Sequence, residues 1–391
     1  MKKALLIVAI LLLSPSVFAD APIDIQHYKL DVHIAPEEHK FDVIAYIDFR
    51  AVEDTESATF FLSKDIELRR ITDGEGNLLS FYRQENKVTV LFDEAIKGGE
   101  AALLRLEYSG VSATEMESGK FIWGYIGPEG GYMIYEAIWY PIIWGDRATA
   151  EVSISVPKGL TAVTVGELTG KLEDHQLSTF IWRTTTPTRG ISFAVGNYHL
   201  KKSSTFIQDC PHKLVEISYY LYPDGFYKTE KSMKASSDIL AFYSSAFGCY
   251  PYSRLSIVEI PEFFHGGHSD QGLVMLSAGL FRDLPSLEFL AHEIAHNWWG
   301  ALVFAEGEPS LRSVEKFSMP LVPPQPHAAA TRDQNYWLLE GFATYSGVMY
   351  LEEEEGKEAM VSSLKEKRKE YLGKIRDLED QPITKVEEEY G

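Results

Sequence analysis

Apolar and polar residues alternate with a period of two through the first half of the chain. Tyr28 to Ile34 reads Y-K-L-D-V-H-I, and Phe41 to Phe49 continues the alternation. Residues i and i+2 of a strand share a face, so each segment presents one apolar and one polar side. Lys87 to Phe92 reads as a further strand. Asp73-Gly74, Gly76-Asn77 and Gly98-Gly99 punctuate the pattern as turns. From Ile23 to about His199 the chain therefore predicts an all-β, antiparallel layer, closed by Phe193-Ala194-Val195-Gly196-Asn197-Tyr198. The aromatic stretch Trp123 to Trp144, with Trp139-Tyr140-Pro141, reads as core and strand edge rather than as a carbohydrate-binding face.

The second half changes period. After Lys201 come a strand (Leu214 to Tyr222), a helix (Tyr227 to Phe247) and two more strands (Leu255 to Ile260, Leu273 to Leu276). Leu287, Leu290, Ala291, Ile294, Ala295 and Trp298 then fall at i, i+3, i+4, i+7, i+8 and i+11, the stripe of an amphipathic helix. Pro285-Ser286 is its start signal and Gly300 its stop. Charged helical stretches, Lys357 to Leu372 and onward, finish the chain. Strands first and helices later predict an α+β unit. The expected organisation is a β domain over 20–200 followed by a mixed domain over 201–391.

Composition narrows the setting. Met1-Lys2-Lys3, the apolar run Ala4 to Leu13 and Val17-Phe18-Ala19 before Asp20 fit a secretory leader over 1–19. The apolar run is shorter than the ~20 residues of a membrane span, with an uncleaved anchor as the alternative. The chain is thus expected to be exported, to a periplasm or the outside of the cell. No later stretch reads as a membrane span. With 391 residues and 45 % hydrophobic content, two or three domains with sizeable cores fit. A formal net charge of −20 argues against nucleic acid and anionic membrane surfaces as partners. The clusters Glu352 to Glu355 and Glu387 to Glu389 read as solvated helix faces. Cys210 and Cys249, the 2 cysteines, either pair or remain thiols; neither lies in a C-x-x-C or papain-like context.

The candidate chemistry sits on the amphipathic helix, in His292-Glu293-Ile294-Ala295-His296. Histidines at i and i+4 share a helix face and can converge on one ion. Zn²⁺ lowers the pKa of bound water toward ~7, and a glutamate beside the first ligand can take the proton as that water attacks a carbonyl. The plainer alternative is a buried helix with hydrogen-bonded histidines. A third ligand separates the two, and two glutamates compete. Glu315 follows His296 by 19 positions (315 − 296), with Pro320 close behind; Glu340 lies 44 positions on (340 − 296).

Glu340 stands in Trp337-Leu338-Leu339-Glu340-Gly341-Phe342-Ala343. This matches a W-L-x-E-G-F-A sequence, and here the chain resembles the aminopeptidase N-like (gluzincin) family of zinc metallopeptidases. The resemblance covers nearly all of the chain after the leader. It implies a thermolysin-like α+β catalytic domain behind the β domain. It also implies one zinc ion held by His292, His296 and Glu340, Glu293 as general base, and hydrolysis of peptide bonds in small peptides.

Three departures qualify that expectation. About 25 extra residues, with Pro309, Pro320, Pro323, Pro324 and Pro326, lie between Ala301 and Asp333; a long insertion costs little closure entropy, so the site can survive it. The family's G-x-M-E-N stretch, whose glutamate binds the substrate's free α-amine, corresponds to Gly266-Gly267-His268-Ser269-Asp270. Serine cannot pair with an ammonium, and Asp270 would do so only from the next position. His265 and His268 line a subsite or make ordinary hydrogen bonds, with a second metal site as the alternative. Finally, the family's oxyanion tyrosine in a Y-x-K-G context and its C-terminal helical domain are not found before Gly391, since Tyr371 and Tyr390 lack the following lysine and glycine. The catalytic unit is therefore expected to be incomplete, and one oxyanion donor is worth ~10²–10³ in rate. Two readings follow: a zinc peptidase, or a catalytically weak relative that binds peptides. Retention of Glu293 favours the first.

Overall fold

The computed structural model describes residues 22–112, 123–208, 210–211, 214–223, 229–261, 266–282, 286–303 and 336–374. The expected leader over 1–19, His265 and Glu315 lie outside these residues.

The alternating segments pair as their pattern predicts. Ile23–Ala35 runs antiparallel to Lys40–Ala51, with Leu30 opposite Ala45 and Val32 opposite Val43. Leu30, Val32 and Ile34 are buried while Lys29 and His33 face out. The full sheet has seven strands in the order Glu167–Glu173, Leu177–Arg183, Thr149–Pro157, Ile23–Ala35, Lys40–Ala51, Ala101–Val111, Glu67–Asp73. It corrects the expectation of a purely antiparallel layer, because Ile23–Ala35 runs parallel to Thr149–Pro157. Alternation fixes which side chains face the core; it carries no information on the direction of a neighbour joined through a long crossover. A three-stranded sheet (Thr55–Phe61, Lys87–Ile96, Ser80–Gln84) and a four-stranded sheet (Thr161–Thr164, Phe193–Gly196, Gly130–Met133, Gly124–Gly127) complete the β unit. The aromatic stretch is core: Trp139 is fully buried, donates Nε1–H to the Ile191 carbonyl at 2.8 Å and meets Phe193 edge-on.

His199–Phe206 opens a fourth, five-stranded sheet, ordered His199–Phe206, Leu214–Leu221, Arg254–Ile260, Leu273–Ser277, Gly267–Asp270. The first pair and the last pair are antiparallel and the two inner pairs are parallel. All of Arg254–Ile260 is buried, as a strand covered on both faces must be. Val258, Ile260, Leu273 and Met275 join the core of the β unit. Leu255, Ile257, Val274 and Leu276 point the other way, into a core shared with the helices. The sheet is thus a partition between the β unit and a helical layer. Arg254 ties across it, its guanidinium 4.4 Å from the Trp182 ring.

The α-helices among the described residues are α1 (Thr229–Phe247), α2 (Ala278–Arg282), α3 (Leu287–Ala295), α4 (Tyr336–Glu355) and α5 (Lys357–Lys374). Tyr243 of α1 donates to the Ala291 carbonyl of α3 at 3.1 Å and packs on Trp298 and Tyr350. Cys210 and Cys249 form a disulfide across 39 positions. Among the described residues, no helix is long and apolar enough to cross a membrane.

Candidate active site

α3 begins where Ser286 caps it: its Oγ accepts the Phe289 amide at 3.2 Å, satisfying one of the free amides of the first turn. Leu290, Ala291, Ile294 and Ala295 form its buried side. The helix stops at Ala295, earlier than the apolar stripe to Trp298 predicts. Asn297 is the reason. Its Nδ2 donates to the Ile294 carbonyl at 3.0 Å, and its Oδ1 accepts the Gly272 amide at 2.9 Å, so a side chain competes with the helical ladder. His296, the residue that caps the helix end, keeps helical dihedrals, and the i, i+4 geometry survives.

α4 delivers Glu340 because it comes very close to α3. A Cβ on Gly347 would lie 2.7 Å from the Glu288 carbonyl oxygen. Glycine permits a backbone contact that any other residue would obstruct. The three side chains then meet. His292 Nε2 lies 3.2 Å from His296 Nε2 and 3.5 Å from Glu340 Oε2, and His296 Nε2 lies 3.6 Å from Glu340 Oε1. Among the described residues, these three form the one group able to hold a metal ion.

The donor set fits zinc. Bonds of 2.0–2.1 Å in a tetrahedron separate their ligand atoms by roughly 3.3 Å, close to the three spacings observed. The outer nitrogens are engaged elsewhere: His296 Nδ1 is 3.0 Å from the Trp299 carbonyl, and His292 Nδ1 is 3.3 Å from Thr344 Oγ1. A carbonyl only accepts, so His296 donates from Nδ1 and turns its Nε2 lone pair to the centre. Burial, with the neighbouring His296 adding to it, pushes His292 down to about 4. Both rings thus present Nε2 to the same point, beside one carboxylate.

Glu293 projects from α3 toward the edge strand Gly267–Asp270 and is buried at 4 % exposure. Ser269 Oγ donates to its Oε2 at 2.8 Å. A Cβ on Gly267 would sit 2.4 Å from the Glu293 carboxyl carbon. Burial pushes this carboxyl above its usual range, with His296 and the Ser269 hydrogen bond pulling the other way. Gly266 precedes the strand in a positive-φ conformation, and its carbonyl accepts the Ser277 amide.

His268 and Asp270 leave the strand on its opposite face, toward the β unit. His268 Nε2 lies 3.3 Å from Asp270 Oδ2, 3.2 Å from Ser192 Oγ and 3.9 Å from Glu136 Oε2. Burial opposes a charge there, but Glu136 and Asp270 outweigh it and hold His268 up to about 9. Glu136 and Ser192 were not singled out from the sequence. Glu136 lies in the aromatic stretch read as core, and only its charge among Tyr135, Ala137 and Ile138 could have flagged it.

No family profile matches the chain. Sequence relatives are aminopeptidases. The chain is 30 % identical over 177 residues to human endoplasmic reticulum aminopeptidase 2, covering 41 % of this chain and 17 % of that protein. It is 24 % identical over 307 residues to aminopeptidase 2 of Candida albicans, covering 72 % of this chain and 32 % of that one. It therefore spans well under half the length of these relatives. In structure it is similar to an M1 zinc metallopeptidase from Deinococcus radiodurans, with a TM-score of 0.73, 19 % identity, and coverage of 95 % of this chain and 79 % of the other. The same Deinococcus peptidase in a mutant form bound to a Tyr-Ser-Ala substrate superposes with a TM-score of 0.70. The chain is thus similar in sequence to aminopeptidases and in fold to an M1 zinc metallopeptidase, and it brings together the His/His/Glu group that its resemblance to the aminopeptidase N-like (gluzincin) family implies.

Proposed function

We propose that the protein is an exported, zinc-dependent peptidase that hydrolyses small peptides. The observation that carries this reading is the convergence of His292, His296 and Glu340 on one point with the buried Glu293 carboxylate beside it. Zinc held by these three residues would supply Lewis-acid activation and acidify a coordinated water. Glu293 would take a proton on a carboxylate oxygen and pass it to the leaving amine. A carboxyl raised by burial is better matched to that exchange near neutral pH than an ordinary one. The Gly267–Asp270 strand ends the five-stranded sheet, and an extended peptide can add to such an edge through backbone hydrogen bonds. Export is supported by the leader-like segment and by the disulfide, which is typical of oxidising compartments.

The test is zinc analysis and peptide turnover of wild type and Glu293→Gln. The expected result is about one zinc per chain in both, with turnover ~10²–10⁴ lower in the variant. Undiminished hydrolysis by Glu293→Gln would end the general-base reading. Zinc and peptide binding without hydrolysis by wild type would instead support a peptide-binding relative.

A further inference from the structure

We propose that Ser269 is a positioning residue for Glu293, fixing the orientation of the carboxylate through a hydrogen bond across the strand–helix gap. This deepens the peptidase reading and rests on it. A glutamate on a helix turns about three side-chain bonds, and one adjacent to a metal ligand has to aim a single oxygen at the reacting water. Here the second oxygen is taken. Ser269 Oγ, 2.8 Å from Oε2, is the one side-chain hydrogen-bond donor to this carboxylate among the described residues.

The geometry is built from both sides. Ser269 stands opposite Val274 and Gly267 opposite Leu276, so both share the sheet face that α3 packs on. Gly267 leaves the space in which the carboxyl group lies, since a Cβ would come within 2.4 Å of both its carbon and Oε1. One residue makes room for the carboxylate and the residue two positions on anchors it, as the period of a strand requires. The anchor is neutral. A hydroxyl holds the oxygen without the competing charge that a carboxylate at position 269 would bring beside Glu293, and it leaves Oε1 free.

The experiment compares wild type, Ser269→Ala and Ser269→Thr as full chains, together with Glu293→Gln and the double variant. Zinc content and thermal unfolding establish that each is folded and loaded. Ser269→Ala is expected to lower kcat by about tenfold, part of the ~10²–10⁴ attributable to a general base. Its KM should stay within about twofold, since an interaction realised only in the transition state changes kcat alone. Ser269→Thr, which keeps the hydroxyl, should recover most of kcat. In the Glu293→Gln background the Ser269→Ala change should add nothing, because the group it positions is gone. A readout independent of turnover is the crystal structure of zinc-free Ser269→Ala, in which Glu293 should leave its place beside position 269. Unchanged kcat in Ser269→Ala with an inactive Glu293→Gln would overturn the positioning role alone. Full activity in Glu293→Gln would overturn the general-base reading instead. If wild type proves inactive, an unmoved Glu293 in the crystal would still refute the proposal.

Discussion

The candidate centre has a helix side and a strand side, and the two use their periodicities in opposite ways. On the helix side, a spacing of four residues stacks His292 above His296, and α4 brings Glu340 to the same point. On the strand side, a spacing of one residue sends neighbours to opposite faces. Gly267 and Ser269 border Glu293, whereas His268 and Asp270 are turned into the junction with the β unit. Helical spacing gathers chemistry and strand alternation divides it. Substitutions on the helix side should therefore act on the metal. Substitutions on the strand side should change turnover, stability or substrate choice and leave the metal in place.

The largest expected effect tests the helix side directly. Glu340→Ala removes one of the three proposed ligands and should lower zinc affinity by more than the roughly 10–100-fold that losing an outer-shell partner costs. Glu315→Ala should keep full zinc content. Metal analysis after dialysis against a graded chelator distinguishes them, and zinc lost with Glu315 but retained without Glu340 would undo the assignment. Gly347→Ala is a subtler probe of the same side. The added Cβ meets the Glu288 carbonyl at 2.7 Å and must push α4 away from α3. Overpacking of this kind costs about 1–3 kcal/mol, and part of it should appear as weaker zinc binding, because the displaced helix carries Glu340.

The legibility of the two sides follows from the same contrast. The helix-side donors could be read from the chain because their relation is local: two histidines one turn apart, on a stripe with a cap and a stop, and a glutamate in a recognisable neighbourhood. The apolar stripe nonetheless overran the end of α3, because Asn297 breaks the ladder through bonds to Gly272 and Tyr250 that only the fold creates. On the strand side the types of residue were visible but their partners were not. Ser269 was noticed for the carboxylate it lacks, while its bond to Glu293 spans 24 positions. Glu136 and Ser192 reach His268 from the other unit, across 132 positions (268 − 136) and 76 positions. The parallel pairing of Ile23–Ala35 with Thr149–Pro157 was hidden for the same reason, since strand alternation records a face and not a neighbour.

The buried charge cluster gives the strand side its own pH signature. His268 is held up to about 9 against an unfolded value near 6.5, burial opposing the charge and Glu136 and Asp270 prevailing. A folded pKa raised above the unfolded one stabilises the native state most fully below the unfolded value. That contribution is lost as pH rises through the folded value. Urea unfolding of wild type and His268→Gln should therefore differ most at pH 6 and below, by up to about 3 kcal/mol, and converge above pH 9. Zinc content should be equal in the two proteins. A stability difference independent of pH would mean that His268 contributes packing alone, and loss of zinc would break the separation between the two sides.

The smallest effect concerns the substrate's free amine. A carboxylate paired with a buried ammonium forms a charge-assisted hydrogen bond worth roughly 1.5–3 kcal/mol, about 10- to 150-fold in affinity. On the face toward Glu293 the strand offers the Ser269 hydroxyl, itself donating to that carboxylate, and no acid of its own. Asp270 is buried at 7 % exposure on the reverse face, with Oδ2 on His268. The imidazolium thus occupies the acid that alternation had already turned away from the centre. Matched peptides with free and acetylated N-termini should then be cleaved at rates within about threefold of each other, below the range that such a pair provides. A preference of tenfold or more for the free amine would refute this. Glu136 would then be the carboxylate to examine, since its Oε2 is buried without a hydrogen bond among the described residues. Loss of the preference in Glu136→Gln but not in Asp270→Asn would show that the β unit supplies the acid that reads the substrate's amine.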